Sequence, residues 1–135
     1  MKIFVAGLVL VVMLLCMGAL RQSDEKSAHL SYKNDVYPII DHYCLPCHDE
    51  DSYNPSELSL DTYDLMMSGG KHGQPVVPGK PDESLIIKKM TTSPPFGKQM
   101  PVIKKKGGSD ETPPRPSEQE ISTLSHWIEQ GAKNN

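Results

Sequence analysis

Apolar bulk is scarce in this sequence outside one run. Aromatic residues make up 6% of the 135 positions and hydrophobic residues 37%, and a large part of the latter sits in residues 3–20. The polar remainder is of a size at which a protein core alone stabilises only marginally, so a large cofactor filling the interior would help. Charge of one sign is lacking too. Fourteen Lys and Arg face 17 Asp and Glu, a formal net charge of −3. That is too mild for a nucleic-acid partner, and the basic cluster Lys104–Lys106 lies in a Gly/Pro-rich stretch that reads as a solvated loop. Of three cysteines, Cys16 falls in the apolar run. Cys44 and Cys47 therefore leave no pair for a separate structural disulfide. No run alternates like a strand and no repeat is present, so sheets and solenoids are not expected. Length allows one small domain.

What is present begins with the apolar run. Ile3–Leu20 carries no charge, with Lys2 before it and Arg21 after it. This length lies between a signal-peptide core and a membrane-spanning helix. Residues 1–21 therefore read as a signal peptide or a single-span membrane anchor. Cys16 raises a lipoprotein alternative, which the bulky Leu15 opposes. Each reading exports the rest of the chain, a polar tether at 22–30 and one domain at 31–135.

That domain reads as helices joined by loops. Tyr32, Val36, Ile39, Ile40 and Tyr43 share a face at helical spacing, with Pro38 either opening the helix or kinking it. A loop occupies 49–57. "LSLDTYDLMMSGG" reads as a short helix with Asp61 as N-cap and Gly69 or Gly70 as stop. "DESLIIKKM" is another, acidic at its start and basic at its end. "TTSPPFGKQMP" is irregular, and 102–116 is a long loop. Ser117 and Glu120 form a capping box, with Ile121, Leu124, Trp127 and Ile128 on one face beyond it and Gly131 as stop.

The chemistry sits in "YCLPCH", residues 43–48. A zinc site needs a second Cys/His pair, and His29, His42, His72 and His126 supply none at ligand spacing. A redox dithiol should follow a buried strand and open a helix; here the preceding residues have helical periodicity. Haem attachment accounts for all three residues together. The two thiols add to the two vinyl groups of one haem, and His48 falls under the iron as proximal ligand. Export fits as well. For the sixth iron position the candidates are Met66, Met67, Met90, His72, His42 and Met100. Met100 is favoured, because it stands outside any helix, is backed by Pro101, and lies far enough from His48 for the chain to wrap the haem.

"VYPIIDHYCLPCH", "LSLDTYDLMMSGG", "VVPGKPDESLIIKKM", "QMP" and "ISTLSHWIEQGA" occur in this order. Together they resemble planctomycete-type cytochrome c domains, relatives of class I cytochrome c, over residues 33–133. The resemblance implies an all-α, class I cytochrome c-like fold of about four short helices around one haem, here preceded by an N-terminal apolar helix, with the first and last helices crossing beside the haem. It implies one haem c per chain bonded to Cys44 and Cys47, with His48 and Met100 as axial ligands. Val102 stands where the group usually has a second proline, and 103–116 is longer than the usual link.

The expected function is one-electron transfer by an exported or membrane-anchored carrier, not an enzyme. It would work on the periplasmic side, tethered to the inner membrane through residues 3–20. The expected partner is a redox protein, such as a respiratory complex or an exported dehydrogenase, met by Lys88, Lys89, Lys98 and Lys104–Lys106 around the haem edge. Trp127 and the Tyr32/Tyr43 face are expected to wall the haem. The alternatives are a haem-based sensor or small-ligand binder with an open sixth position, and a thiol-disulfide oxidoreductase using Cys44 and Cys47.

Overall fold

The computed structural model describes residues 29–52, 54–102 and 115–135. The apolar segment 3–20, most of the tether and the loop 103–114 with Lys104–Lys106 lie outside the described residues. Among the described residues the regular elements are all helical, as an all-α domain requires. None of those helices is long and apolar enough to cross a membrane.

The first helical stretch is two joined pieces. A π-helical turn, Tyr32–Val36, leads into α1, Tyr37–Tyr43. Pro38 lies at the join, in the first turn of α1 and directly after the π turn. The Tyr37 N–H ahead of it reaches back to the Tyr32 carbonyl, which gives the wide turn. Ser31 caps the start, accepting the Asn34 N–H. Next comes α2, Leu45–His48, a single turn that carries the cysteine motif.

Helix α3 runs Tyr63–Ser68, and its N-cap is Thr62 rather than Asp61. Thr62 Oγ1 accepts the Leu65 N–H at 3.2 Å. Asp61 is drawn away from that role, because its carboxylate accepts the Glu50 N–H at 2.7 Å and the Ser59 hydroxyl. Gly69 stops the helix with φ +78°, a conformation that glycine adopts without strain.

The expected helix over 82–90 is split at Ser84 into a 3-10 turn, Pro81–Glu83, and α4, Leu85–Met90. The cause is the Ser84 side chain, which is fully buried. Its Oγ accepts the Val77 N–H at 2.9 Å and donates to the Lys80 carbonyl at 2.9 Å. The Gly79 N–H then donates to the Ile128 carbonyl at 2.7 Å. The "PGKPDESL" run is thus a hydrogen-bonded knot that fixes α4 against the last helix.

That last helix, α5, spans Glu118–Glu129 and opens with both halves of the Ser117/Glu120 capping box. Its face Leu124, Trp127 and Ile128 is buried, each contributing roughly 1.5–3 kcal/mol through removal from water. It packs on the π turn, the 3-10 turn and α4. The Trp127 ring centroid lies 5.6 Å from that of Tyr32, and Tyr32 lies 5.3 Å from Tyr63. The two ends of the domain are clasped: Ser31 Oγ donates to the Asn135 carbonyl at 2.7 Å, and the Leu30 N–H to Gln130 Oε1 at 2.9 Å.

Candidate cofactor site

A cavity of about 630 Å³ opens beside the cysteine motif. That is within the range of pockets that enclose a small molecule or cofactor, roughly 300–1,000 Å³. Cys44, Cys47 and His48 enter its wall from the α1–α2 junction. Leu58 and Leu60 come from the next loop, Ile86 and Met90 from α4, and Met100, Pro101 and Val102 from the proline-rich segment. The structure therefore brings all four sequence-predicted site residues to one cavity.

The motif's own turn is closed by hydrogen bonds. The Cys44 carbonyl accepts the N–H groups of Cys47 at 3.0 Å and His48 at 2.9 Å. His48 Nδ1 lies 3.1 Å from the Leu58 carbonyl. A carbonyl only accepts, so the contact is an Nδ1–H donor, which orients the ring and leaves Nε2 as the nitrogen that can bind a metal. The Leu60 N–H returns to the His48 carbonyl at 2.8 Å. The Leu58 carbonyl also accepts from the Asn54 side chain. Gly70 lies hard against this loop: a Cβ there would meet the Ser56 carbonyl oxygen at 2.6 Å. The glycine pair read only as a helix stop is thus also a close approach of two backbones, which a helix-stop signal does not reveal.

Two thiols, an imidazole with a free Nε2 and a thioether around an apolar wall fit a covalently held haem. They fit the rival readings less well. Burial, with the Cys47 thiol beside it, pushes the Cys44 thiol up to about 12, whereas a disulfide-exchange centre depends on a lowered thiol pKa. A helix, not a strand, precedes the motif. Among the described residues no group of three or more His, Cys, Asp or Glu gathers at metal-binding spacing.

Met100 is held by its main chain. Its N–H donates to the Lys89 carbonyl at the end of α4 at 2.7 Å, and its carbonyl accepts from Arg115 Nη1 at 3.4 Å. Of the other distal candidates, Met66 is buried in the core and Met67 packs against it. His42 rests edge-on to Tyr43, with ring centroids 4.5 Å apart. Met90 and His72 do reach the cavity, Met90 from the end of α4 and His72 at an exposed position beside Phe96. Sequence periodicity alone assigns them to core and to solvated loop.

The expected aromatic wall needs correction. Trp127 and Tyr32 pack against each other and Tyr63 in the core and do not line the cavity. Helical periodicity marks a side chain as buried but not what it is buried against. Tyr43 does line the cavity, and its hydroxyl donates to the Glu120 carboxylate at 3.1 Å. Of the expected docking lysines, Lys89 and Lys98 reach the rim and Lys88 does not.

A C-x-x-C-H turn at the wall of an apolar cavity, with only helices among the described regular elements, resembles the haem-attachment site of the cytochrome c class. Residues 44–101 match the family described as Planctomycete cytochrome C, the family that the sequence motifs resemble, and the match points to a cytochrome-type function. The matched stretch contains Cys44, Cys47, His48 and Met100. No curated protein and no solved structure matches the chain.

Proposed function

We propose that this protein is an exported electron carrier that passes single electrons through one haem c. Cys44 and Cys47 form its thioether bonds, His48 Nε2 is the proximal ligand and the Met100 sulfur the distal one. The observation that carries this reading is the His48 ring, held by Leu58 with Nε2 free, on the wall of the cavity that Met100 also lines.

Held there, a haem supplies the ferric–ferrous couple; the chain sets the conditions. His48 and Met100 would hold the iron from ring nitrogen and thioether, and a ligand pair kept in place by the chain would keep the rearrangement on electron transfer small. A neutral thioether favours the ferrous form, as do apolar walls such as Leu58, Leu60 and Ile86 that keep water away. Residues 3–20 would direct the chain across the inner membrane and, if retained, tether it on the periplasmic side. The partner would be another exported redox protein or a respiratory complex, not a nucleic acid.

A pyridine haemochrome assay on the purified protein tests the attachment. The expected result is one covalently bound haem per chain. Haem-free protein with two active thiols would return the site to a dithiol oxidoreductase. Ready carbon monoxide binding by the ferrous wild type would favour the sensor.

A further inference from the structure

We propose that Lys89 is a positioning residue that latches the Met100 loop to the cavity wall and so keeps the sixth iron position closed. The inference rests on the reading of Met100 as distal ligand. Residues 91–99 form no helix or strand and are mostly exposed. Burial does little to hold such a segment, and discrete contacts must do it instead.

Several of those contacts converge on Lys89, in the last turn of α4. Its main-chain carbonyl accepts the Met100 N–H at 2.7 Å. Its ammonium donates to the Phe96 carbonyl and stands 4.5 Å from the centroid of the Phe96 ring. The Phe96 ring in turn lies 4.3 Å from that of His72. Lys89, Phe96 and His72 all line the cavity. One lysine thus joins α4, the Met100 loop and, through Phe96, the loop after Gly70. Phe96 is 38% exposed, so its place depends on these partners. A lysine near a helix C-terminus ordinarily answers the helix dipole or faces solvent; here the ammonium is turned onto the loop that carries Met100.

Loss of a charge-assisted hydrogen bond and a cation–π contact at a partly exposed site corresponds to roughly a tenfold rise in the open fraction. Lys89→Met is the informative variant. It retains the aliphatic stem and the carbonyl that holds Met100, and removes only the ammonium. Two readouts apply: the long-wavelength sulfur-to-iron band of the ferric protein, and the rate of carbon monoxide binding to the ferrous protein. The latch requires a weaker band and roughly tenfold faster binding in Lys89→Met, with most of the wild-type behaviour restored in Lys89→Arg. If Lys89→Met matches wild type in both while Met100→Ala loses the band, the latch is wrong and the distal assignment stands. If Met100→Ala keeps the wild-type band, the distal assignment fails and takes the latch with it. Should Lys89→Met not yield haem-loaded protein, Phe96→Leu removes the ring contact alone. Faster carbon monoxide binding is then expected, and an unchanged rate overturns the proposal.

Discussion

The two sides of the cavity are built differently. On the His48 side, one helical turn and a short loop hold the ligand through several backbone bonds, and Gly70 seals the loop from behind. On the Met100 side, an exposed proline-rich segment is tied to α4 by Lys89 and Gln99. The His48 side is over-determined and local in sequence. The Met100 side is held by a few contacts and belongs to the low-stability end of the molecule. Changes on the first side should therefore cost global stability, and changes on the second should alter ligation with the fold intact.

The largest expected effect comes from His48→Ala. Loss of the proximal ligand should abolish the low-spin spectrum and sharply lower the yield of haem-loaded protein, read by absorption and haem staining after denaturing electrophoresis. Met100→Ala, on the weaker side, should keep covalent haem and a near-normal melting temperature. Equal losses in the two variants would erase the contrast.

Gly70→Ala tests the seal without touching a ligand. The added Cβ would meet backbone oxygens of Ser56 and Glu57 at 2.6 and 2.9 Å. Neither can move as a side-chain tip would. Overpacking of this kind costs about 1–3 kcal/mol, to be read from chemical denaturation. A wild-type midpoint would show that the loop is not held from behind.

Gln99→Ala is the matching change on the Met100 side. Its side-chain amide donates to the Met90 carbonyl at 2.6 Å. About 1 kcal/mol of local hold should be lost. The sulfur-to-iron band should weaken while the denaturation midpoint stays near that of wild type.

The smallest effect concerns pH. The Ser117 N–H, and next its hydroxyl, hold the Glu120 carboxyl below the usual glutamate range, with Tyr43 adding to them. A carboxylate whose folded pKa is lowered contributes stability above the ordinary glutamate range, and that contribution is lost as pH falls through the folded pKa. Ser117→Ala should cost about 1 kcal/mol near neutrality, narrowing in acid. Denaturation midpoints across that range decide it; a gap that widens in acid would contradict the assignment.

Much of the His48 side was legible because it is local. C-x-x-C-H fixes a turn within a handful of residues, and the capping box fixes the start of α5 in the same way. The helical faces of Tyr32–Tyr43 and Ile121–Ile128 were equally readable from spacing. What depends on how side chains are bonded in the folded loops was not. Thr62 displaced Asp61 as N-cap because the Glu50 N–H, from the loop after the cysteine motif, and the neighbouring Ser59 hydroxyl claim that carboxylate. Ser84 split a helix because Val77 and Lys80 bond its hydroxyl. Trp127 was visibly a buried residue, but its choice of Tyr32 over the cavity is decided in three dimensions. Lys89 looked like any helix-end lysine until Phe96 was brought beside it.

The central claim is a six-coordinate haem c with His48 and Met100 as axial pair. The most direct test is the ferric absorption spectrum of wild type and Met100→Ala side by side. The long-wavelength sulfur-to-iron band should be present in the first and absent from the second. A band missing from wild type, or unchanged in the variant, would contradict the assignment of Met100 as distal ligand.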